Sequence, residues 1–248
     1  MKNPYGLKDG KLVLVDSVER GLMCGCLCPA CKEPLEAHKG KIKTHHFKHH
    51  NGSDCGCGLE TAIHLLAKSI IKNEKVILLP SLMAPPDWSQ LKYLETQYLD
   101  NKPFPDHLMF KELVPAWYKL RVDEVLLEKR MGHIIPDLIA VTKGKQLFIE
   151  IKVTHGIDDK KLEFIEENEL SVVEYDFSEM QDMIDYNHIK RVLTESYKGA
   201  TKGRGLGRWV NHIGLQKAIE EVTENMKIHY PDKTLKKNWE QTQLQLDC

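Results

Sequence analysis

The sequence of 248 residues predicts an α/β fold: a mixed sheet flanked by helices, with a small metal-binding module before it and a helical extension after it. Three observations carry this. From residue 121, short β-rich runs and helical runs follow one another in the order β-β-β-α-β-α. Upstream, GLETAIHLLAKSIIKNE places Leu59, Ile63, Leu66 and Ile70 on one helical stripe. Six of the seven cysteines and five of the twelve histidines crowd between residues 24 and 57. The expected division is a metal module over 1–58, a core over 59–180 and a helical extension over 181–248.

The elements justify themselves in order. KLVLVDSV reads as a short strand and turn, and the Cys/His segment after it is broken by Gly and Pro. That segment has little apolar material, so a metal is expected to fold it. The amphipathic helix comes next, and KVILLP reads as a strand stopped by Pro80. Residues 80–120 read as irregular with one short helix. RVDEVLLEK, HIIPDLIAV and KQLFIEIKV read as three strands, IDDKKLEFIEENE as a helix, SVVEYDF as a strand and DMIDYNHIKRVL as a helix. KGATKGRGLGRWVNH is a basic Gly-rich stretch in which Arg204 and Arg208 are available to phosphate, without P-loop spacing; a solvated loop is its plainer reading.

Size and charge narrow the classes. No run of about 18 apolar residues could span a bilayer. MKNPYGLKDG has no apolar signal segment, so a soluble, cytoplasmic protein without a membrane partner is expected. The net charge of −1 gives no overall attraction to nucleic acid, so any basic surface must be local.

Clustered Cys and His in such a chain favour metal over disulfides. The CxxC spacing of Cys28 and Cys31 lets two thiolates share one Zn²⁺, and His46 and His49 are the first choice for the remaining ligands. Cys55 and Cys57 are the alternates, and Cys24 and Cys26 lie at strand period with Cys28. Four protein ligands would make the zinc structural.

PDLIAVTKGKQLFIEIK reads as a hairpin with unusual charge. A Lys143-Gly144 turn sets Asp137 opposite Glu150; a Gly144-Lys145 turn sets it opposite Lys152. In either register Asp137, Glu150 and Lys152 leave one face and Leu147, Ile149 and Ile151 the other. Two carboxylates so close repel unless a cation lies near, and Mg²⁺ or Mn²⁺ takes such oxygen ligands. Lys152 would then orient water and stabilise charge on phosphate. Glu60, His64 and Lys68 form an i, i+4, i+8 stripe on the preceding helix. A charged, solvated strand face is the plainer reading of the hairpin.

Pro136-Asp137 followed by Glu150-Ile151-Lys152 resembles the PD-(D/E)xK nuclease signature of the restriction-endonuclease-like fold. Over residues 24 to about 180 the chain resembles the competence-protein CoiA-like group more narrowly. Cys28-Pro29-Ala30-Cys31, His46-Phe47-Lys48-His49, Glu60-Thr61-Ala62-Ile63-His64 with Lys68, and the hairpin residues run in that group's order. Thr154-His155-Gly156-Ile157-Asp158 with Lys161, and VVEYDFS, are similar to its later segments. Ile135 stands where relatives often carry a basic residue.

The resemblance implies a zinc module fused to a metal-dependent nuclease acting on DNA, with RNA as the alternative substrate, in DNA uptake or defence. It implies catalytic Glu60, Asp137, Glu150 and Lys152, with Asp137 and Glu150 binding the metal and His64 and Lys161 contacting phosphate or the metal site. The alternative expectation is a non-cleaving nucleic-acid-binding or scaffold protein that kept the fold.

Overall fold

The structure, a computed structural model, describes residues 3–53, 55–98, 104–116, 118–178, 186–195 and 207–233. The chain opens with β1 (Tyr5–Lys8), β2 (Lys11–Leu14), β3 (Leu35–His38), β4 (His46–His49) and α1 (Gly58–Glu74). Strands β5 (Val76–Leu79) and β6 (Leu82–Ala84), helices α2 (Tyr93–Gln97) and α3 (Asp106–Met109), and strands β7 (Lys111–Val114), β8 (Tyr118–Arg121) and β9 (Glu124–Leu127) follow. Then come β10 (Leu138–Thr142), β11 (Lys145–Lys152), α4 (Asp159–Glu167), β12 (Val172–Asp176), α5 (Tyr186–Thr194), β13 (Gly207–Asn211) and α6 (Leu215–His229).

Residues up to 79 and residues 119–210 form one compact unit; residues 80–118 and those from 211 onward form another. These boundaries differ from the division at 58 and 180 expected from sequence, because residues 80–118 pack with the C-terminal segment. In that unit β6 pairs antiparallel with β7, and Leu91, Leu94 and Met226 form a small core edged by Tyr93, Tyr98 and Tyr230. The described residues between 80 and 120 therefore hold more regular structure than their Pro-rich sequence implied. No described helix is long and apolar enough to cross a membrane.

The first unit is built on a mixed five-stranded sheet in the order β13-β12-β11-β10-β9. Strands β9, β10 and β11 run antiparallel, whereas β11 and β12 are parallel, joined by a crossover through α4. The β10–β11 turn is Lys143-Gly144, both residues with positive φ (49° and 76°), as a two-residue primed turn requires. It fixes Leu138 opposite Ile149 and Thr142 opposite Lys145, the first of the two registers open from sequence. Because side chains alternate across a strand, every second residue then shares a face.

One face is apolar at the turn end, where Ile139, Phe148 and Val172 pack with Ile165 of α4. The other face buries Leu138, Ile149, Val173 and Tyr175, and the Tyr175 hydroxyl donates to the Leu78 carbonyl at 2.7 Å. Helix α1 spans the residues its periodicity predicts and buries Ala62, Ile63, Leu66, Ala67, Ile70 and Ile71.

The N-terminal segment has more core than expected. Val15, Cys24, Cys26, Leu35, Ala37 and Phe47 bury one another between the β1–β2 and β3–β4 hairpins. Gly6 makes this possible, since a Cβ there would stand 3.1 Å from Cys26 and 3.2 Å from the Phe47 ring.

Candidate functional site

Two clusters of reactive side chains lie in the first unit. The first joins Cys28, Cys31, His49 and Cys55, whose donor atoms all fall within 4.8 Å of one another. Cys28 Sγ lies 3.7 Å from Cys55 Sγ, and Cys31 Sγ lies 3.2 Å from His49 Nε2. The CPAC turn folds back through Lys32 N–H donating to the Cys28 carbonyl at 3.1 Å, which converges the two thiols. His49 ends β4, and Cys55 stands three residues ahead of α1. Three sulfurs and one imidazole nitrogen within this span suit a tetrahedral zinc with no open position, a structural site.

Burial pushes the Cys28 thiol up to about 11. Burial acts the same way on Cys55, but the N–H groups of Cys57 and Gly58 and the neighbouring sulfurs hold its thiol below the ordinary value. A metal would have to bind all three sulfurs as thiolates.

Of the first-choice ligands Cys28, Cys31, His46 and His49, three join this cluster and His46 does not. Its place is taken by the alternate Cys55; the other alternate, Cys57, is exposed and lies outside the group. The reason is local geometry. HFKH is a strand, so residues 46 and 49 project to opposite faces and cannot both reach one ion. His46 instead packs against the His38 ring, 5.4 Å between centroids, with its Nδ1 2.8 Å from the Thr44 carbonyl. Cys24 and Cys26 belong to the small apolar core, and Cys248 lies outside the described residues.

The second cluster is a cleft of about 240 Å³ on the polar end of the sheet face described above. Glu60 and His64 reach it from α1, Glu150 and Lys152 from β11, and Lys161 from α4; Asp137, just ahead of β10, completes the expected set. One step beyond the Leu138–Ile149 pair, Asp137 lies opposite Glu150, and Ile151 N–H donates to its Oδ2 at 2.9 Å. On the other side of β11, Glu150 pairs in register with Glu174 of β12, which also lines the cleft. Three carboxylates therefore form a row across β10, β11 and β12. Sequence reading missed Glu174, although an acid set between Val173 and Tyr175 in SVVEYDF was the available signal.

Each acid in the row has its own cation. Asp137 Oδ1 is 3.0 Å from both His64 Nδ1 and Lys68 Nζ, and Lys68, only 8% exposed, also reaches Glu128 at 3.1 Å. Burial would raise the Asp137 carboxyl, but His64, the Ile151 N–H and Lys68 together hold it well below the usual carboxylate range. Glu150 Oε1 lies 2.7 Å from Lys161 Nζ. Here burial prevails, with Asp137 adding to it, and the Glu150 carboxyl is pushed up to about 7. Asp158 caps α4 by accepting from Lys161 N–H at 2.8 Å, which fixes the turn that presents the Lys161 ammonium.

Lys152 shares the face of Glu150, yet its Nζ bonds Asp176 Oδ2 at 2.6 Å rather than pointing between Asp137 and Glu150. That partner raises the Lys152 pKa and keeps the side chain an ammonium. Among the described residues, the Cys/His group alone brings three or more metal-donor side chains within 4.8 Å of one another. No family model, curated protein or solved structure matches this chain.

Chemically, the cleft offers two facing acids, each paired with a cation, beside two lysines and two histidines. Such a set suits a ligand that brings negative oxygens to the lysines.

Proposed function

We propose that the protein is a metal-dependent nuclease of the PD-(D/E)xK type, hydrolysing phosphodiesters in DNA, with a restriction-endonuclease-like core and an N-terminal zinc module. The observation that carries this is the row in which Asp137 and Glu150 face each other on adjacent strands, with Lys152 two residues along the same face. The fit to Mg²⁺ or Mn²⁺ rests on the donor set: the facing carboxylates of Asp137 and Glu150, with Glu60 on the cleft wall, are oxygen ligands of the kind such a cation takes. When bound, the cation would supply charge neutralisation and a more acidic water.

The chain's own residues do the rest. Asp137 and Glu150 would hold the cation, and Glu60 of α1 would supply a further oxygen from the cleft wall. Lys152, kept protonated by Asp176, donates to a phosphate oxygen and orients the attacking water rather than removing its proton. Lys161 and His64, which reach the cleft beside Glu150 and Asp137, would contact phosphate oxygens. The CoiA-like order of zinc module, helix and hairpin supports the same reading and suggests a role in DNA uptake or defence.

A second reading has an observation of its own. Each acid of the row already carries a cation, and Lys152 is turned to Asp176. A protein that keeps the fold to bind nucleic acid without cutting it would tolerate this arrangement unchanged.

Cleavage of labelled single-stranded and duplex DNA by zinc-loaded protein, with and without added Mg²⁺ or Mn²⁺, separates the two. Asp137→Asn, which keeps the shape of the side chain, should abolish cleavage with zinc content and fold intact. Cutting that persists in this variant, or without added metal, would end the nuclease reading as stated.

A further inference from the structure

The acidic row does not stop at Glu174. That side chain is 1% exposed, and its Oε1 accepts from Arg208 Nε at 2.8 Å while its Oε2 faces Ile157 N–H at 3.4 Å. Arg208 belongs to β13, the edge strand next to β12. Its side chain is 64% exposed, and the Glu174 contact is its one hydrogen bond to a described residue. The guanidinium is thus held at Nε by an acid that lines the cleft, and the exposure of the side chain leaves its other nitrogens accessible to a ligand. It stands near enough to Lys152 for the two cations to feel one another.

The support behind Arg208 is built. A Cβ on Gly156 would stand 3.2 Å from Glu174 Oε2 and 3.4 Å from Lys152 Cδ, so the loop ahead of α4 closes on the carboxylate only because that residue is glycine. A buried acid that spends one oxygen on a loop N–H and the other on a single guanidinium nitrogen is arranged to aim that guanidinium. Its remaining nitrogens, the Nη pair, are the donor fork that phosphate accepts in bidentate fashion, which an ammonium cannot reproduce.

We propose that Arg208, aimed by Glu174, is a backbone-phosphate site of the nucleic-acid substrate, one or two phosphates along from the bond placed at Asp137 and Glu150. The displacement follows from the sheet: β13 lies two strand spacings from β11, roughly 10 Å. A strand entering the cleft passes Lys152 and then Arg208, so this residue sets the position of the chain rather than the chemistry. Glu174 is a positioning residue. The site rests on the nuclease reading for its substrate class, and backbone phosphate is common to DNA and RNA.

The test is binding, read without cleavage. Zinc-loaded protein in the Asp137→Asn background and without Mg²⁺ is titrated into fluorescently labelled single-stranded DNA, duplex DNA and single-stranded RNA over a series of salt concentrations. Arg208→Ala alone strands a buried carboxylate, so Glu174→Gln/Arg208→Ala carries the measurement. Its affinity should fall roughly 5- to 20-fold, and the slope of log affinity against log salt should fall by about 0.7 to 0.9, the loss of one phosphate contact.

Arg208→Lys should keep most of the slope yet still lose affinity, because the fork is gone. If the double variant binds with the parent's affinity and slope, or if Arg208→Lys binds as well as the parent, the proposed site is overturned and metal-dependent cleavage by the wild type is untouched by that result. If the wild type neither binds nor cleaves any of the three substrates, the nuclease reading falls first and takes this site with it.

Discussion

Replacing Glu150 by glutamine should stabilise the protein against unfolding above neutral pH when no divalent cation is added. Glu150 is 7% exposed, and burial, reinforced by Asp137, pushes its carboxyl from an ordinary value of 4.5 up to about 7 despite the Lys161 ammonium. A carboxyl raised in the fold is protonated more readily there than in the unfolded chain. Its ionisation therefore costs stability as pH rises from about 4.5 to about 7, and the penalty is complete above that window. At about 1.4 kcal/mol per tenfold change, the penalty is at most about 3.5 kcal/mol.

Asp137 works in the opposite direction and elsewhere on the scale. Its carboxyl is depressed, so its contribution is present above its unfolded value of 3.8 and is lost only under strong acid. Between pH 5 and 8 it is constant. Glutamine keeps the shape of Glu150 without its ionisation; the Lys161 ion pair exists only where Glu150 is ionised, and its help is already contained in the value of about 7.

The difference in unfolding free energy, variant minus wild type, should thus grow by roughly 2 to 3 kcal/mol between pH 5 and pH 8. Urea titrations of zinc-loaded protein at pH 5, 6, 7 and 8 measure it. A difference that stays flat or shrinks with pH would refute the claim that burial outweighs the Lys161 ammonium at this acid.

Other outcomes follow from the same geometry. Cys55→Ala should lose stoichiometric zinc and His46→Ala should keep it, measured as metal content after dialysis, because Cys55 and not His46 stands with Cys28, Cys31 and His49. Gly132→Ala should cost about 2 kcal/mol in urea, since φ there is +58° and the new Cβ would meet the Phe164 ring at 2.9 Å. Tyr175→Phe should cost about 1–2 kcal/mol, because it leaves the Leu78 carbonyl without the buried hydroxyl that donates to it.

What could be read from sequence, and what could not, divides along the range of the interactions. The hairpin face of Asp137, Glu150 and Lys152 was legible because a two-residue turn and a period of two fix parity whichever register the turn takes. The turn type then chose between registers, since both Lys143 and Gly144 accept positive φ. The stripe of Glu60, His64 and Lys68 was legible for the same reason at a period of 3.6. Cys28 and Cys31 are a local pair and were read correctly.

His46 was misread because the spacing of His46 and His49 brings two ligands together on a helix and drives them apart on a strand. Nothing within HFKH says which of these applies. The pairing of Leu35 with His49 and of His38 with His46 decides it, from ten or so residues upstream. The exclusion of His46 is therefore a consequence of the β3–β4 hairpin, not of histidine chemistry.

Glu174 was hidden for a stronger version of that reason, and so was the place of Arg208, named from sequence only as a loop residue available to phosphate. A hairpin states its own register through its turn, whereas a parallel pair does not. Glu150 meets Glu174 only after the chain has crossed over through α4, and no local rule sets where β12 stops sliding against β11. Burial of Val172, Val173 and Tyr175 on the two faces of β12 fixes that register, so the apolar residues place the acid. Arg208 then depends on β13 finding the free edge of β12, from a stretch whose glycines and basic residues read as loop. A site laid along one hairpin can be recognised by counting residues; its continuation across a parallel neighbour becomes visible only once the core has positioned that neighbour.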